Sequence, residues 1–430
     1  MRAGARLGDL LARVTEAGRA LAAPEGARAS LADRCAALLA GRGEATGLAL
    51  ARSILDGFAA LDAEGRHAFF AEVKDRFGVD EAALAAAVAA WRAGDGDAAR
   101  RLHFASEPRT QSLVRLLNRA PGGTAAVVAM RAALLRAIEE DPSLRPLDDD
   151  FRHLLASWFN RGFLELKRID WSTSAEILER IIAYEAVHEI RGWDDLRRRV
   201  AAPDRRLYAF FHPALRGEPL IFVEVALLDA IPRAIGPILA GAREPLDPRA
   251  ATTAAFYSIS NCQAGLRGIS FGNFLIKQVV EELRAEHRGL RAFATLSPVP
   301  GLRAWAVAEA KRGDASALTR PQRDAVARAE AGGAAPDPAC LSEIAARYLL
   351  GAKGQDDRPA DPVARFHLGN GARLERINPE GDEGERGRRA AWGVLVNYLY
   401  DLGAIERNHE AFAAGGEVIA SAPVRRLLKG

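Results

Sequence analysis

Between a β-type run, Ala255-Phe-Tyr-Ser-Ile-Ser260, and a helix-period run opening at Phe274 lies Gln263-Ala-Gly-Leu-Arg267-Gly268-Ile-Ser270-Phe-Gly272-Asn273. Strand, glycine-rich loop and helix in that order commit this part of the chain to layered α/β architecture. They also build a pocket for a phosphate group. Glycines let the backbone turn its N–H groups inward, and the new helix adds the positive end of its dipole. The helix follows from spacing. Phe274, Leu275, Ile276, Val279, Val280 and Leu283 share one face, with Lys277, Gln278, Glu281 and Arg284 opposite. The loop therefore reads as a pyrophosphate cradle made by Arg267, Gly268, Ile269, Ser270, Phe271, Gly272 and Asn273. That narrows the ligand to a nucleotide or coenzyme.

A dinucleotide fingerprint needs G-x-G-x-x-G, and a P-loop needs G-x-x-x-x-G-K-[ST]; neither is present here. The segment resembles the (Q/R)-x-x-G-x-(G/A) loop of the GNAT-type N-acetyltransferase fold, which binds the pyrophosphate of coenzyme A. Arg267, Ser270 and Gly272 match it, with Ser270 where the first glycine is usual. A loop that only makes a tight turn is the plainer alternative. The same residues also spell Gly268-x-Ser270-x-Gly272, a nucleophile-elbow pattern. An elbow holds its serine directly at the strand-to-helix turn, whereas seven residues, Asn261 to Arg267, intervene here. No His-Gly-Gly-Gly oxyanion segment lies upstream, which counts against a hydrolase.

Two downstream segments sharpen the reading. Arg291-Ala-Phe-Ala-Thr-Leu-Ser297-Pro-Val-Pro300-Gly301 is a short strand stopped by a double-proline turn. Proline holds its predecessor extended, so Ser297 ends the strand with its hydroxyl in a fixed direction. Arg365-Phe-His367-Leu-Gly-Asn370-Gly-Ala is a histidine followed by a turn. With Phe256-Tyr-Ser258-Ile-Ser260, Gly272-Asn-Phe-Leu-Ile-Lys277 and Asn397-Tyr-Leu-Tyr400, these segments resemble the malonyl-CoA decarboxylase family. The likeness is close over roughly residues 205–305 and 362–402, and general in the helical part before them.

The resemblance implies an α+β multidomain chain: an all-α N-terminal helical domain, then a mixed-sheet α/β domain of the GNAT-type fold. It implies decarboxylation of malonyl-CoA to acetyl-CoA and carbon dioxide. Losing carbon dioxide leaves an electron pair that the thioester delocalises as an enolate, so neither metal nor organic cofactor is expected. A donor to that oxygen, a dry site and an acid for the carbon are required. By resemblance Ser297 engages the malonyl group and His367 supplies the proton, its ordinary pKa lying near neutral. Tyr400 and Asn397 match positions lining the family's site, with core aromatic and turn amide as their plain alternatives. Ser258, on one strand face with Ser260, is a further candidate substrate contact. Association through the helical domain, as a homo-oligomer and by resemblance a tetramer, is also implied.

Composition fits an intracellular two-part protein. A chain of 430 residues exceeds one ordinary core. Basic and acidic residues number 59 and 56, which argues against nucleic acid as partner and suits an anionic small ligand. Cys35, Cys262 and Cys340 are too scattered for a zinc pair or a disulfide framework. No apolar run reaches transmembrane length, so no membrane association is expected. In the N-terminal segment Asp9 and Glu16 interrupt a transit-peptide character, and Leu7, Leu10, Leu11 and Val14 keep helical spacing. The final Leu-Leu-Lys-Gly430 is not a peroxisomal Ser-Lys-Leu address. A bacterial cytoplasmic setting is the expectation.

Along the chain, residues 1–185 read as helix after helix, with apolar spacing over 30–40, 46–61, 81–93, 111–119, 123–138 and 151–165. Asp148-Asp-Asp150 reads as charge at a helix start rather than a metal site. From Leu207 the period changes to β, with a hairpin joined through Pro213 to Pro219. Residues 302–350 read as a helical insertion. The boundary is placed near 190, giving a helical oligomerisation domain, 1–190, and an acyl-CoA-binding domain, 191–430.

Among eight histidines, His188-Glu189 starts an H-E-x-x-H pattern that Gly192 ends, and His212 before Pro213 reads as structural. Two rival functions stay open: an N-acyltransferase of the same fold, and a non-catalytic acyl-CoA sensor. Malonyl-CoA supplied alone separates them from a decarboxylase.

Overall fold

The computed structural model describes residues 30–41, 43–269, 275–354 and 357–429, and divides into two compact units. The first comprises residues up to 164 with 212–218 and 263–271; the second comprises 165–211, 219–262 and 272–430.

The first unit is helical. Helices Leu31–Leu39, Glu44–Ala59, Ala63–Arg76, Arg109–Asn118, Gly123–Glu140 and Arg145–Trp158 bury their apolar stripes together. Phe58, Phe69 and Phe70 meet as a tilted trio with ring centroids 5.3–6.0 Å apart. Ser30 opens the first helix with a capping box, and Asp62 caps the third, each satisfying an orphan N–H. A hairpin of helices Glu81–Arg92 and Ala98–Ala105 differs: of its helical residues only Ala87 and Ala98 are buried. Trp91 and Phe104 are 56% and 67% exposed.

The second unit is built on one mixed sheet. Its strands are β1 (Glu165–Ile169), β2 (Arg205–Phe211), β3 (Pro219–Leu228), β4 (Thr253–Asn261), β5 (Ala292–Thr295), β6 (Ser297–Pro298), β7 (Arg373–Asn378) and β8 (Leu395–Leu399). β1 to β4 pair antiparallel in chain order, β4 and β5 pair parallel, and β8 takes β5, β6 and β7 antiparallel. The parallel pair needs a crossover, which helix Leu275–Glu286 supplies. Leu275, Ile276, Val279, Val280 and Leu283 are its buried face, as the spacing predicts. β2 and β3 form the predicted hairpin, and helices Leu302–Ala310, Arg320–Glu330 and Pro338–Gly351 fill the predicted insertion.

The division of the chain falls at 164/165, not near 190, because β1 joins the sheet through β2. The all-helical reading to residue 185 fails at the same place. Glu165-Leu-Lys-Arg-Ile carries three charges and is mostly exposed, as an edge strand tolerates, so it has no apolar alternation to betray it. The final predicted helix of that series runs 145–158 rather than 151–165.

β5 and β6 hold one register against β8, with Ala294 opposite Leu399 and Ser297 opposite Val396. Between those points the backbone ladder is interrupted. The Tyr398 N–H donates to the Thr295 hydroxyl at 3.1 Å, and the Thr295 carbonyl accepts from Asn397 Nδ2 at 2.7 Å. Side chains thus replace a missing ladder link, immediately beside Ser297.

Candidate active site

Alternation along the strands places Thr295 and Ser297 on one sheet face, and Tyr398 and Tyr400 share a face of β8 and its extension. Helix Pro362–Gly369 presents His367 to them, its N-terminus capped by the buried Asp361, whose Oδ1 accepts from Ala364 N at 2.8 Å.

His367 Nε2 lies 3.1 Å from Ser297 Oγ, and its Nδ1 lies 2.8 Å from Tyr400 Oη. The Ser297 hydroxyl is in turn 2.8 Å from that of Thr295. Tyr398 stacks on the imidazole at 4.7 Å and 25°, and Phe256 meets Tyr400 edge-on at 6.3 Å. Ser297 and His367 are only 5% and 3% exposed. The three predicted catalytic residues are therefore one hydrogen-bonded line in a dry, aromatic setting.

Burial changes the expected chemistry of the histidine. Desolvation alone pushes the His367 pKa from the usual 6.5 down to about 3, so the buried imidazole is neutral. The expectation that it titrates near neutrality is corrected on this point. Burial likewise drives the Tyr400 phenol well above its ordinary value.

Asn397 is fully buried, and its amide is taken up by protein groups. Nδ2 donates to the carbonyls of Thr295 and Pro232, while Oδ1 accepts from Arg376 Nε and Asn378 Nδ2. It shapes the strand that carries Ser297. Ser258 is turned to Glu185, with its Oγ 2.8 and 2.9 Å from the two carboxylate oxygens; Ser260 Oγ reaches the same carboxylate at 3.0 Å. This belongs to a buried polar cluster. Tyr257 Oη donates to Glu224 at 2.7 Å, and Arg199 Nη1 donates to it at 3.2 Å. Desolvation outweighs the Arg199 charge and pushes the Glu224 carboxyl up to about 8.

The glycine loop is described up to Ile269; Ser270, Phe271, Gly272 and Asn273 lie outside the described residues, as does the helix expected at the N-terminus. Arg267 is largely exposed, and its guanidinium stands 3.9 Å from Glu139. Gly268 takes φ +78°, a left-handed turn, and Ile269 is buried. Two residues absent from the predicted set fix this loop. Arg131, buried on helix Gly123–Glu140, donates from Nη1 to the carbonyls of Gly265 and Arg267 at 2.7 and 2.9 Å. It also pairs with Asp148 through Nε at 2.7 Å. Gly265 sits so close that a Cβ there would lie 1.9 Å from the Val128 carbonyl oxygen. In Asp148-Asp-Asp150, Asp148 holds Arg131, and Asp150 accepts from Thr110 and Gln111. His212 is structural as expected, with Nε2 3.1 Å from the Trp158 carbonyl.

Arg131→Lys keeps a positive charge beside Asp148 and loses the fork that holds two carbonyls. A hydrogen bond to a charged group contributes about 1.5–3 kcal/mol, so affinity for coenzyme A, the ligand the resemblance implies for this loop, should fall about 10-fold or more in a calorimetric titration, with kcat at saturation nearly unchanged.

Two family models match the chain from residue 77 onward: the malonyl-CoA decarboxylase N-terminal domain over residues 77–159 and the malonyl-CoA decarboxylase C-terminal domain over 162–430. The mitochondrial malonyl-CoA decarboxylase of the goose Anser anser anser is 36% identical over 357 residues, covering 75% of this chain and 70% of that protein. The solved malonyl-CoA decarboxylase from Rhodopseudomonas palustris shares 52% identity at TM-score 0.88, covering 92% of this chain and 98% of its own. That from Agrobacterium vitis shares 50% at TM-score 0.85, covering 92% and 99%. A helical part followed by a mixed-sheet part is the architecture of these carboxy-lyases. The chain belongs to the malonyl-CoA decarboxylase family.

Proposed function

We propose that this chain converts malonyl-CoA into acetyl-CoA and carbon dioxide, with Ser297, His367 and Tyr400 delivering the proton. The observation that carries this reading is the buried line Ser297–His367–Tyr400 with contacts of 3.1 and 2.8 Å. Cleavage of the carbon–carbon bond sends its electron pair to the α-carbon and the thioester oxygen. One proton must then be returned in a place water does not reach. Both nitrogens of His367 are already engaged, so a hydroxyl hands the hydrogen to carbon and the imidazole relays behind it. A neutral ring suits a relay, because it takes a proton on one nitrogen as it gives one from the other.

The thioester is itself the electron sink, so the reaction on this reading needs neither metal nor organic cofactor; activity retained after dialysis against EDTA supports that. Residues Arg267 to Asn273 would hold the pyrophosphate of the substrate. The test is malonyl-CoA supplied alone. Carbon dioxide and acetyl-CoA in equal amounts support the proposal. An intact thioester that is consumed only when an amine is added would make the chain an acyltransferase instead.

The chain is also inferred to act as a homo-oligomer, a tetramer by resemblance. The poorly buried hairpin of residues 81–105, with Trp91 and Phe104 exposed, supports a subunit contact there. Light scattering reads the subunit count, and a monomer at micromolar concentration would refute the inference. No helix among the described residues is long and apolar enough to cross a membrane. We place the protein in a bacterial cytoplasm.

A further inference from the structure

Ser297 and His367 meet from separate elements: a strand of two residues, β6, and helix Pro362–Gly369. The chain leaves Ser297 through Pro298-Val-Pro300 and enters helix Leu302–Ala310 at Gly301. One buried side chain touches both elements away from the reacting groups. Asp361 opens the histidine helix, and its carboxylate accepts from the backbone N–H groups of Val363 and Ala364. The same carboxylate accepts from the Gly301 N–H, on the serine side. Its Oδ2 is 3.5 Å from the Tyr348 hydroxyl, which rests so near Gly301 that a Cβ there would stand 2.2 Å from it.

A helix start alone does not call for this residue. Serine or asparagine caps a helix about as well as aspartate, without burying a charge. Burial is felt here: desolvation lifts the Asp361 pKa above the ordinary carboxylate value despite its donors. What a carboxylate adds is acceptor capacity on both oxygens, so one group serves two segments at once. We propose that Asp361 is a positioning residue that ties the turn behind Ser297 to the helix of His367 and so sets the 3.1 Å contact between them. This rests on the proposed decarboxylase reading, in which the two side chains act as one proton-transfer unit. Displacing one partner by about an ångström costs on the order of 100-fold in rate, with no contact to the substrate lost.

The experiment begins with Asp361→Asn, which keeps the size and the helix cap but replaces one acceptor oxygen by a donor NH2. kcat is expected to fall about 10-fold or more with KM within about twofold. Combination with Ser297→Ala separates positioning from general weakening. Without the serine hydroxyl there is no pair to align, so Asp361→Asn should then cost less than about twofold. Gly301→Ala loosens the same tie from the serine side, because its methyl meets the Tyr348 hydroxyl. It should lower kcat likewise, and adding Tyr348→Phe, which removes that oxygen, should restore most of the rate. That pair decides the matter if Asp361→Asn does not fold. Parental kcat in Asp361→Asn would overturn the proposal, as would an equal fold-loss with and without the Ser297 hydroxyl. A Gly301→Ala loss that Tyr348→Phe leaves unrestored would do the same. Ser297→Ala keeping near-native turnover would overturn the decarboxylase reading itself. A slow Ser297→Ala beside an unimpaired Asp361→Asn leaves that reading standing and removes Asp361 from it.

Discussion

His367→Asn is expected to lower kcat by about 10²–10⁴-fold, the usual contribution of a positioned proton-transfer group, while coenzyme A affinity stays near the parental value. Asparagine cannot hold Ser297 and Tyr400 at once and cannot exchange one nitrogen's proton for another's. Ser297→Ala should cost on the order of 10²–10³-fold, since it removes the hydroxyl facing the reacting carbon. The 3.1 Å contact makes the two side chains one unit, so the double variant should be little slower than the slower single variant. Stopped-flow rates and a separate coenzyme A titration decide this. Losses that multiply would assign independent roles, and near-native turnover of His367→Asn would move the proton source to Tyr400.

A second large effect concerns pH and needs no substrate. An unfolded chain protonates His367 below about pH 6.5, whereas burial withholds that proton in the folded protein until about pH 3. Between those values the unfolded state binds more protons. The contribution of the neutral imidazole is thus fully present above pH 6.5 and is lost as the pH falls, by up to about 1.4 kcal/mol per pH unit. Between pH 6.5 and 4.5 His367→Asn should therefore lose roughly 2–3 kcal/mol less unfolding free energy than the parent. Urea titrations of both proteins at the two pH values measure the difference. Parallel losses would mean that His367 is not held neutral.

Much of this was legible before the fold was known, for particular reasons. Ser297 stands before a proline at a strand end, and it was the resemblance of its segment and of those holding His367 and Tyr400 to the family's that marked all three, which the fold brings into one hydrogen-bonded line. The helix after the glycine loop was legible because its apolar face is periodic. Other features were not. Arg131 is separated by 134 residues from the carbonyl it holds, and nothing local distinguishes it from a surface arginine. Gly265 is required by the Val128 carbonyl, a neighbour that only the fold supplies. Thr295 lies two residues before Ser297, where strand periodicity alone would have put it on the same face, but it belongs to no motif. The histidine's charge state went wrong because spacing carries no information about desolvation. Ser258 points at Glu185, a residue on a separate segment that the strand pattern cannot see.

The interrupted ladder beside Ser297 bears on how this sequence can change. Thr295 and Asn397 each complete a bond that the opposing backbone leaves open, so losing the Thr295 hydroxyl strands the Tyr398 N–H and losing the Asn397 amide strands the Thr295 carbonyl. Single substitutions at these positions lead downhill, whereas a compensated pair could mend the ladder and raise stability. The mended strand would no longer offer Ser297 a hydroxyl neighbour. Lineages selected for heat resistance would be drawn toward that repair and penalised in turnover, so robustness and activity compete at this short stretch of backbone.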